Sequence, residues 1–466
     1  MAISEYTSTG GDEAPAQAAE RRQEAASPQA SGNGTPAEAS AKPPADLAVL
    51  GSQVVNTLRE WYMLASDSIT GLLDGRFLQQ PARELWLLGK HYNIEAPSDE
   101  QGAQDGGYPL DVARDFARLI WCTYRSHYPP IADSEYTTDA GWGCMLRAGQ
   151  TLMAQALQLH CFGRDWDISW DGRLDEDACR RRQYIGIVKQ FFDDYSPTST
   201  FSIHRMAAVG GRFQGKDIGE WFGPYGTARI LRELALRAEH DVSVYTTTDG
   251  IVYLADICEK DFKPTLILVA TMLGIDRVNP VYYPFIQASL MLPQSAGIAG
   301  GRPSSAMYFA GFQGDELLYL DPHYTRPSVA RRDDNDDYSQ ADLATYSCNT
   351  LRRIPFGRLD PCMVFGYYCG SLESLVDLRS RIEMLADDGV QAIMSFDNGH
   401  SPETIQSEAR PASSDEVAGP QQELLVKLPP SPGSGNTSRP RSAASSEFVL
   451  ENEGHEGSEE SWVVDL

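Results

Sequence analysis

The chain has 466 residues, 42% of them hydrophobic, and its 65 Asp and Glu against 39 Lys and Arg leave a net charge of −26. That balance argues against a nucleic-acid binder, which would present a basic face to phosphates, while the length allows a sizeable core in one large or a few average domains. Cysteines at positions 122, 144, 161, 179, 258, 348, 362 and 369 show no paired C-x-x-C spacing, so neither a zinc ribbon nor a disulfide-dense scaffold is expected, and reduced thiols in the cytosol are. The start MAISEYTSTGGDE has no basic lead and no apolar run, and no later stretch approaches a membrane span, so a soluble, non-secreted protein is expected.

Residues 1–46 are rich in Ala, Pro, Ser, Gly and Glu and poor in large apolar side chains, so little burial would offset the entropy of ordering and a disordered tail is expected. From Leu47 onward Leu50, Val54, Val55, Leu58, Trp61, Tyr62 and Leu64 trace a helical stripe. Trp61-Tyr62-Met63-Leu64, preceded by Glu60, also has the aromatic-x-x-aliphatic form of a short docking peptide, although core packing explains it more simply. Ser98 to Gly107 reads as a polar loop, and Val112, Phe116, Leu119, Ile120 and Tyr124 predict a helix from Leu110 to Tyr128.

Gly141-Trp142-Gly143-Cys144 leads into the next helix, where Met145, Leu146, Leu152, Met153, Ala156 and Leu157 pile onto one face. Cys144 would begin that helix, where unpaired amides and the dipole favour a thiolate and the flanking glycines admit a substrate backbone. For a cysteine taken by itself, a buried small apolar residue is the better reading. Residues 161–227 are mixed, with a polar stretch from Asp165 to Arg182 and a Gly-rich region from Val209 to Gly226 that lacks phosphate-loop spacing. Trp221, within the latter, reads by pattern as core. A helix over Thr227–His240 follows, and Val242–Tyr245, Ile251–Leu254 and Thr265–Thr271 read as strands of a central sheet.

Two apolar runs between Ala306 and Leu320 flank Gln313-Gly314-Asp315 and predict a hairpin that ends in Leu320-Asp321-Pro322-His323. In an extended chain Asp321 and His323 share a face, with Pro322 holding the backbone open, so the carboxylate can orient the imidazole. Beside a thiol, that pair gives the nucleophile, base and orienter of acyl transfer; alone, a turn with a surface histidine accounts for the triplet about as well. Residues 331–348 read as an acidic insertion loop, Met363–Tyr368 as a strand, and a last helix follows Ser371 as N-cap with Leu372, Leu375, Val376, Ile382 and Leu385 inward. After Phe396 the composition returns to Pro, Ser, Gly and Glu and order should cease, with Phe448 and Trp462 as isolated aromatics in acidic surroundings.

TTDAGWGCMLRAGQ (Thr137 to Gln150), LPQSAGIAGGRPSSAMYFAG with LLYLDPH (Leu292 to His323), WCTYRSHYPPI (Trp121 to Ile131) and GKDIGEWFGPYGTARIL (Gly215 to Leu231) together resemble the autophagin family of autophagy-related cysteine proteases. The resemblance runs over residues 47–396. It implies an α+β, papain-like fold, with a central, mostly antiparallel sheet flanked by helices, between disordered tails at 1–46 and 397–466. It also implies Cys144 as nucleophile, His323 as base and Asp321 as orienter, with Tyr124 lining the oxyanion hole beside the Cys144 amide. Trp221 and Trp142 would wall the groove for a C-terminal glycine, and Arg302, Pro303, Ser304 and Ser305 would form a mobile lid, the neighbouring glycines permitting hinge motion.

The implied function is that of a cysteine endopeptidase trimming a ubiquitin-like autophagy modifier after its C-terminal glycine, and later releasing the modifier from phosphatidylethanolamine. Autophagosome formation and cytoplasm-to-vacuole transport would depend on it. No metal or organic cofactor and no nucleic acid are implied; the partners would be the modifier precursor and its lipid-linked form, the latter met transiently at a membrane surface. The expected location is the cytoplasm, extending to the nucleus and the pre-autophagosomal structure. A non-enzymatic modifier-binding adaptor, a different cysteine hydrolase such as a deubiquitinase, and a papain-like acyltransferase are the alternatives. Trp61 and Leu64 fit a modifier-docking peptide, whereas the fourth positions after Phe448 and Trp462 are Glu451 and Asp465, both wrong for an apolar pocket.

Overall fold

The computed structural model describes residues 84–94, 108–167, 175–258 and 262–408. The stripe at Leu50–Leu64, the polar loop at Ser98–Gly107, the domain boundary at residue 47, the tail before it and the aromatics Phe448 and Trp462 lie outside them. The main sheet has nine strands: β1 (Glu84–Leu87), β2 (Lys90–Asn93), β3 (Ser243–Thr247), β4 (Thr265–Met272), β5 (Ser295–Arg302), β6 (Ser305–Gln313), β7 (Glu316–Leu320), β8 (Arg352–Pro355) and β9 (Cys362–Cys369). Their order is β8-β7-β6-β5-β9-β4-β3, with β1 joined to both β6 and β2. All neighbours are antiparallel except β3 and β4. The expected central, mostly antiparallel sheet is thus present.

Both faces of this sheet are covered, which explains why its strands are continuous apolar runs rather than alternating ones. Along β4, Leu266, Leu268 and Ala270 enter one core while Ile267 and Val269 enter the other. The seven longer helices are α1 (Leu110–Ala117), α2 (Cys144–Phe162), α3 (Asp175–Lys189), α4 (Ile203–Gln214), α5 (Pro224–Arg237), α6 (Tyr283–Met291) and α7 (Leu372–Asp387). Helices α2 to α5 contribute to the first core, α6 and α7 to the second. The predicted hairpin is β6–β7, closed by the Gln313–Glu316 pair with Gly314 at φ 56°, and Ser371 caps α7 by accepting the amide of Ser374.

Several elements differ from the sequence reading. Helix α1 stops at Ala117, because every residue from Leu119 to Arg125 is buried and the chain is drawn out between α2 and the segment after β7. The apolar stripe assigned to α2 is too narrow: the helix is buried from Cys144 to Leu159, with β5, β6 and β9 on one side and α3, α4 and α5 on the other. Helices α3 and α4 were hidden in stretches that read as polar and Gly-rich. Ile251–Tyr253 leaves the central sheet and pairs in parallel with Ser395–Asp397. The acidic segment 331–348 is no surface insertion, since Tyr338, Leu343, Tyr346 and Cys348 are core residues. Order also continues past Phe396: helix Pro402–Glu408 follows, anchored where Asp256 accepts from His400 and the amide of Ser401.

Candidate active site

Helix α2 starts at Cys144 with Gly143 as N-cap. The turn before it closes on Asp139, whose carbonyl accepts the amides of Trp142 (3.2 Å) and Gly143 (2.9 Å). Only glycine fits at 143, because a Cβ there would overlap the Asp139 carboxylate. Trp142 does not line a groove as expected. Its indole is 4% exposed, donates to the Thr138 carbonyl at 3.2 Å and meets the ring of Tyr136 edge-on, so the side chain stiffens the turn from inside.

The histidine arrives from the opposite side. Beyond β7, Trp121 Nε1 donates to the Asp321 carbonyl (2.9 Å), the Tyr124 amide to the Pro322 carbonyl (2.9 Å) and the Arg326 amide to the Tyr124 carbonyl (3.0 Å). The segments around Tyr124 and His323 therefore run side by side, and the Thr151 hydroxyl of α2 takes the Cys122 amide at 3.1 Å, tying both to the helix that carries Cys144. Asp321 Oδ1 lies 2.5 Å from His323 Nδ1 and accepts the His323 amide at 3.0 Å; Arg352 reaches Oδ2 at 3.5 Å. The other ring nitrogen is left for Cys144, whose thiol lies near enough to the His323 and Tyr124 side chains and to the backbone of Ala306 to be stabilised by them as a thiolate. The Tyr124 and His323 rings meet edge-on at 5.4 Å.

Burial is the largest influence on the Cys144 thiol and pushes its pKa up, but the hydrogen bonds from His323, Ala306 and Tyr124 and the charge of His323 outweigh it, leaving the thiol below the usual range. For His323 burial opposes the charged form, and the Asp321 and Cys144 partners overcome it, raising the imidazole to about 9. Asp321 is held below the usual carboxylate range, burial again being overcome by His323 and Arg352. Tyr124 is raised by burial and by the neighbouring thiol, so it stays a phenol able to donate. The site thus favours a thiolate beside an imidazolium, with the Tyr124 phenol next to both.

Trp221 is the opposite of Trp142. Nearly half exposed at 49%, it is held by its indole nitrogen to the Gly141 carbonyl at 2.6 Å, so it stands over the turn that leads to Cys144 and is no core residue. Arg302, Pro303, Ser304 and Ser305 form the tight hairpin between β5 and β6, closed by the Arg302–Ser305 pair with Ser304 at φ 62°. Its tip is exposed, and Ala306, whose backbone helps to lower the Cys144 thiol, follows directly. Among the neighbouring glycines, Gly297 lies inside β5 at φ 88°, where a Cβ would strike the Tyr308 side chain.

The sequence reading overlooked one charged cluster. Arg147, in the first turn of α2, donates from Nε and Nη2 to Asp139 (2.8 Å each) and from Nη1 to Asp193 (3.0 Å), all three residues being buried. An arginine as the one Lys, Arg, Asp or Glu of helix α2 was the available signal; nothing in the sequence names Asp193 as its second partner.

Residues 109–381 match the peptidase C54 catalytic domain. The chain is 36% identical over 355 residues to the probable cysteine protease atg4 of Aspergillus niger, spanning 66% of this chain and 85% of that protein. It is 36% identical over 391 residues to the probable cysteine protease atg4 of Aspergillus clavatus, spanning 72% and 92%. The cysteine protease ATG4 of Pyricularia oryzae is 36% identical over 349 residues, spanning 67% and 68%. The chain belongs to the peptidase C54, or autophagin, family. It is a thiol-dependent, autophagy-related cysteine protease, and its sheet and helices are the papain-like fold of that family.

Proposed function

We propose that the protein cleaves a ubiquitin-like autophagy modifier after its C-terminal glycine, first from a peptide extension and later from phosphatidylethanolamine. The Cys144 thiolate attacks the glycine carbonyl, and the oxyanion is held by the Tyr124 hydroxyl and the Cys144 amide at the start of α2. The tetrahedral adduct collapses to a thioester as His323 gives its proton to the leaving amine. His323 then takes a proton from water, the hydroxide attacks the thioester, and the thiolate leaves. Asp321 keeps the ring turned and stabilises its cation throughout.

The observation that carries this reading is the His323 ring, 2.5 Å from Asp321 and edge-on to Tyr124 at 5.4 Å, set with the Tyr124 side chain beside the Cys144 thiol. The glycine preference is supported by Trp221, anchored over the turn that leads to Cys144, and in this reading the exposed loop at Pro303 supplies the second wall. The same acyl chemistry serves a peptide amine and the amine of a lipid headgroup, so one site performs both cuts. In this reading the precursor is met in the cytoplasm and nucleus, the lipid-linked form transiently at the pre-autophagosomal membrane.

Intact mass of a modifier bearing a C-terminal extension, incubated under reducing conditions with the wild type or with Cys144→Ala, tests the reading. Cleavage directly after glycine by the wild type alone is expected; bound but uncut modifier would make the protein an adaptor. A vesicle-bound lipid conjugate, assayed by release into the supernatant, tests the second cut in the same way.

A further inference from the structure

We infer that Asp139 is a positioning residue for catalysis, locking the Tyr124 segment and the Cys144 turn into one register; the inference rests on the reading of Cys144 and Tyr124 above. Three sets of contacts converge on it. Its Oδ1 accepts the amide of Arg125, directly after Tyr124, at 2.8 Å. Both carboxylate oxygens take Arg147, one helical turn beyond Cys144, at 2.8 Å. Its carbonyl takes the amides of Trp142 and Gly143, the two residues before Cys144. Tyr124 and Cys144 belong to separate parts of the chain, and this one fully buried residue is bonded to the immediate neighbours of both.

The neighbouring carboxylate supplies an internal control. Asp193 is equally buried and binds the same guanidinium at 3.0 Å, but among the described residues it bonds neither the Tyr124 segment nor the Cys144 turn. If the cluster served stability alone, the two aspartates would be interchangeable. If Asp139 sets the distance between the oxyanion donor and the nucleophile, only its loss slows the chemical step, because a displacement of about 1 Å is enough to lower a rate roughly 100-fold.

The test compares Asp139→Asn with Asp193→Asn in the full chain, at a temperature where circular dichroism shows both folded. Expected for Asp139→Asn is a roughly 100-fold lower kcat on extended modifier with KM within threefold, while iodoacetamide still alkylates Cys144 below the ordinary thiol range because the His323 pair is untouched. Asp193→Asn should lower the melting temperature yet keep kcat within threefold. Should Asp139→Asn not fold, Asp139→Glu, which keeps the charge for Arg147 but lengthens the strut, should show the same kcat loss. Equal kcat in the two asparagine variants, or full activity in Asp139→Glu, would overturn the inference. A wild type that alkylates normally but cleaves nothing would instead overturn the proposed reaction.

Discussion

The two faces of the central sheet are built by different rules. Under α6 and α7 the core is largely apolar, from Ile267 and Val269 to Phe365, Leu378 and Ile382, with Gln287 bonded to the Gly314 carbonyl and Ser289 to the Tyr367 hydroxyl as its polar exceptions. Under α2 the same sheet supports a helix as deeply buried but studded with polar groups: Arg147 between two aspartates, Gln150 donating to the Phe201 carbonyl at 2.7 Å, and Gln158 bonded to the Arg118 carbonyl at 2.8 Å and the Ile120 amide at 3.3 Å. An apolar face gains stability by removing area from water and tolerates substitutions of similar volume. A satisfied polar network fixes particular backbone atoms relative to one another, at the risk that any broken member leaves a buried group without a partner. The face that carries Cys144 uses the second rule, and the face that carries no nucleophile uses the first.

Changes on the catalytic face should alter rate, and changes on the other should alter stability. The largest effect expected is from Cys144→Ala, which should lower kcat roughly 10⁴-fold or more with no change in melting temperature beyond a few degrees. On the opposite face Phe365→Ala, fully buried between the sheet and its helices, should lower unfolding free energy by about 3–5 kcal/mol in denaturant titrations while kcat of the folded fraction is kept. Tyr124→Phe removes one donor and leaves the ring; kcat should fall roughly 10²- to 10³-fold with KM little changed. The smallest effect belongs to Trp221→Ala, which opens the groove: preference for glycine over alanine before the cut should drop roughly tenfold in kcat/KM. A Phe365→Ala variant that stayed stable but lost rate would break the contrast between the faces.

The pH dependence sharpens it. Because His323 is raised to about 9 by Asp321 and the Cys144 thiolate against the pull of burial, the proton it hands to the leaving amine is present through neutral pH and lost as pH passes about 9. The rate should therefore fall on that alkaline limb. The linked stability has the same sign: it is complete below the ordinary histidine range and lost as pH rises through about 9. Asp321, held low, contributes stability that is present above the ordinary carboxylate range and lost on acidification. Asp321→Asn should remove both effects and bring the alkaline limb down toward the ordinary histidine value, as a pH–rate series would record.

Local rules made much of this legible. The Asp321-Pro322-His323 triplet works because its geometry is set within three residues of extended chain, and the Cys144 helix start is announced by the glycines around it. The β6–β7 hairpin was readable from apolar runs interrupted at Gly314. What failed depended on partners far away in sequence. Tyr124 was assigned to a helix because Phe116, Leu119 and Ile120 have helical spacing, yet the chain from Trp121 to Tyr124 is held by bonds from the Trp121 indole to Asp321, from the Tyr124 amide to Pro322 and from the Arg326 amide to the Tyr124 carbonyl. Trp142 and Trp221 could not be told apart by pattern, and only the fold puts one inside the turn and the other above it. Segment 331–348 looked solvated because its aspartates are numerous; its tyrosines decide otherwise, Tyr346 lying 4.1 Å beneath the guanidinium of buried Arg125.

The central claim is that Cys144 is a thiolate because His323, oriented by Asp321, is protonated beside it. The most direct measurement is the rate of iodoacetamide alkylation at Cys144, located by peptide mass, as a function of pH in the wild type and in His323→Ala. The account predicts a reactive wild-type thiol well below the ordinary cysteine range of about 8.5, with a further change near about 9 as His323 deprotonates, and a single ordinary thiol titration in the variant. Identical curves for the two proteins, each rising near about 8.5, would contradict it.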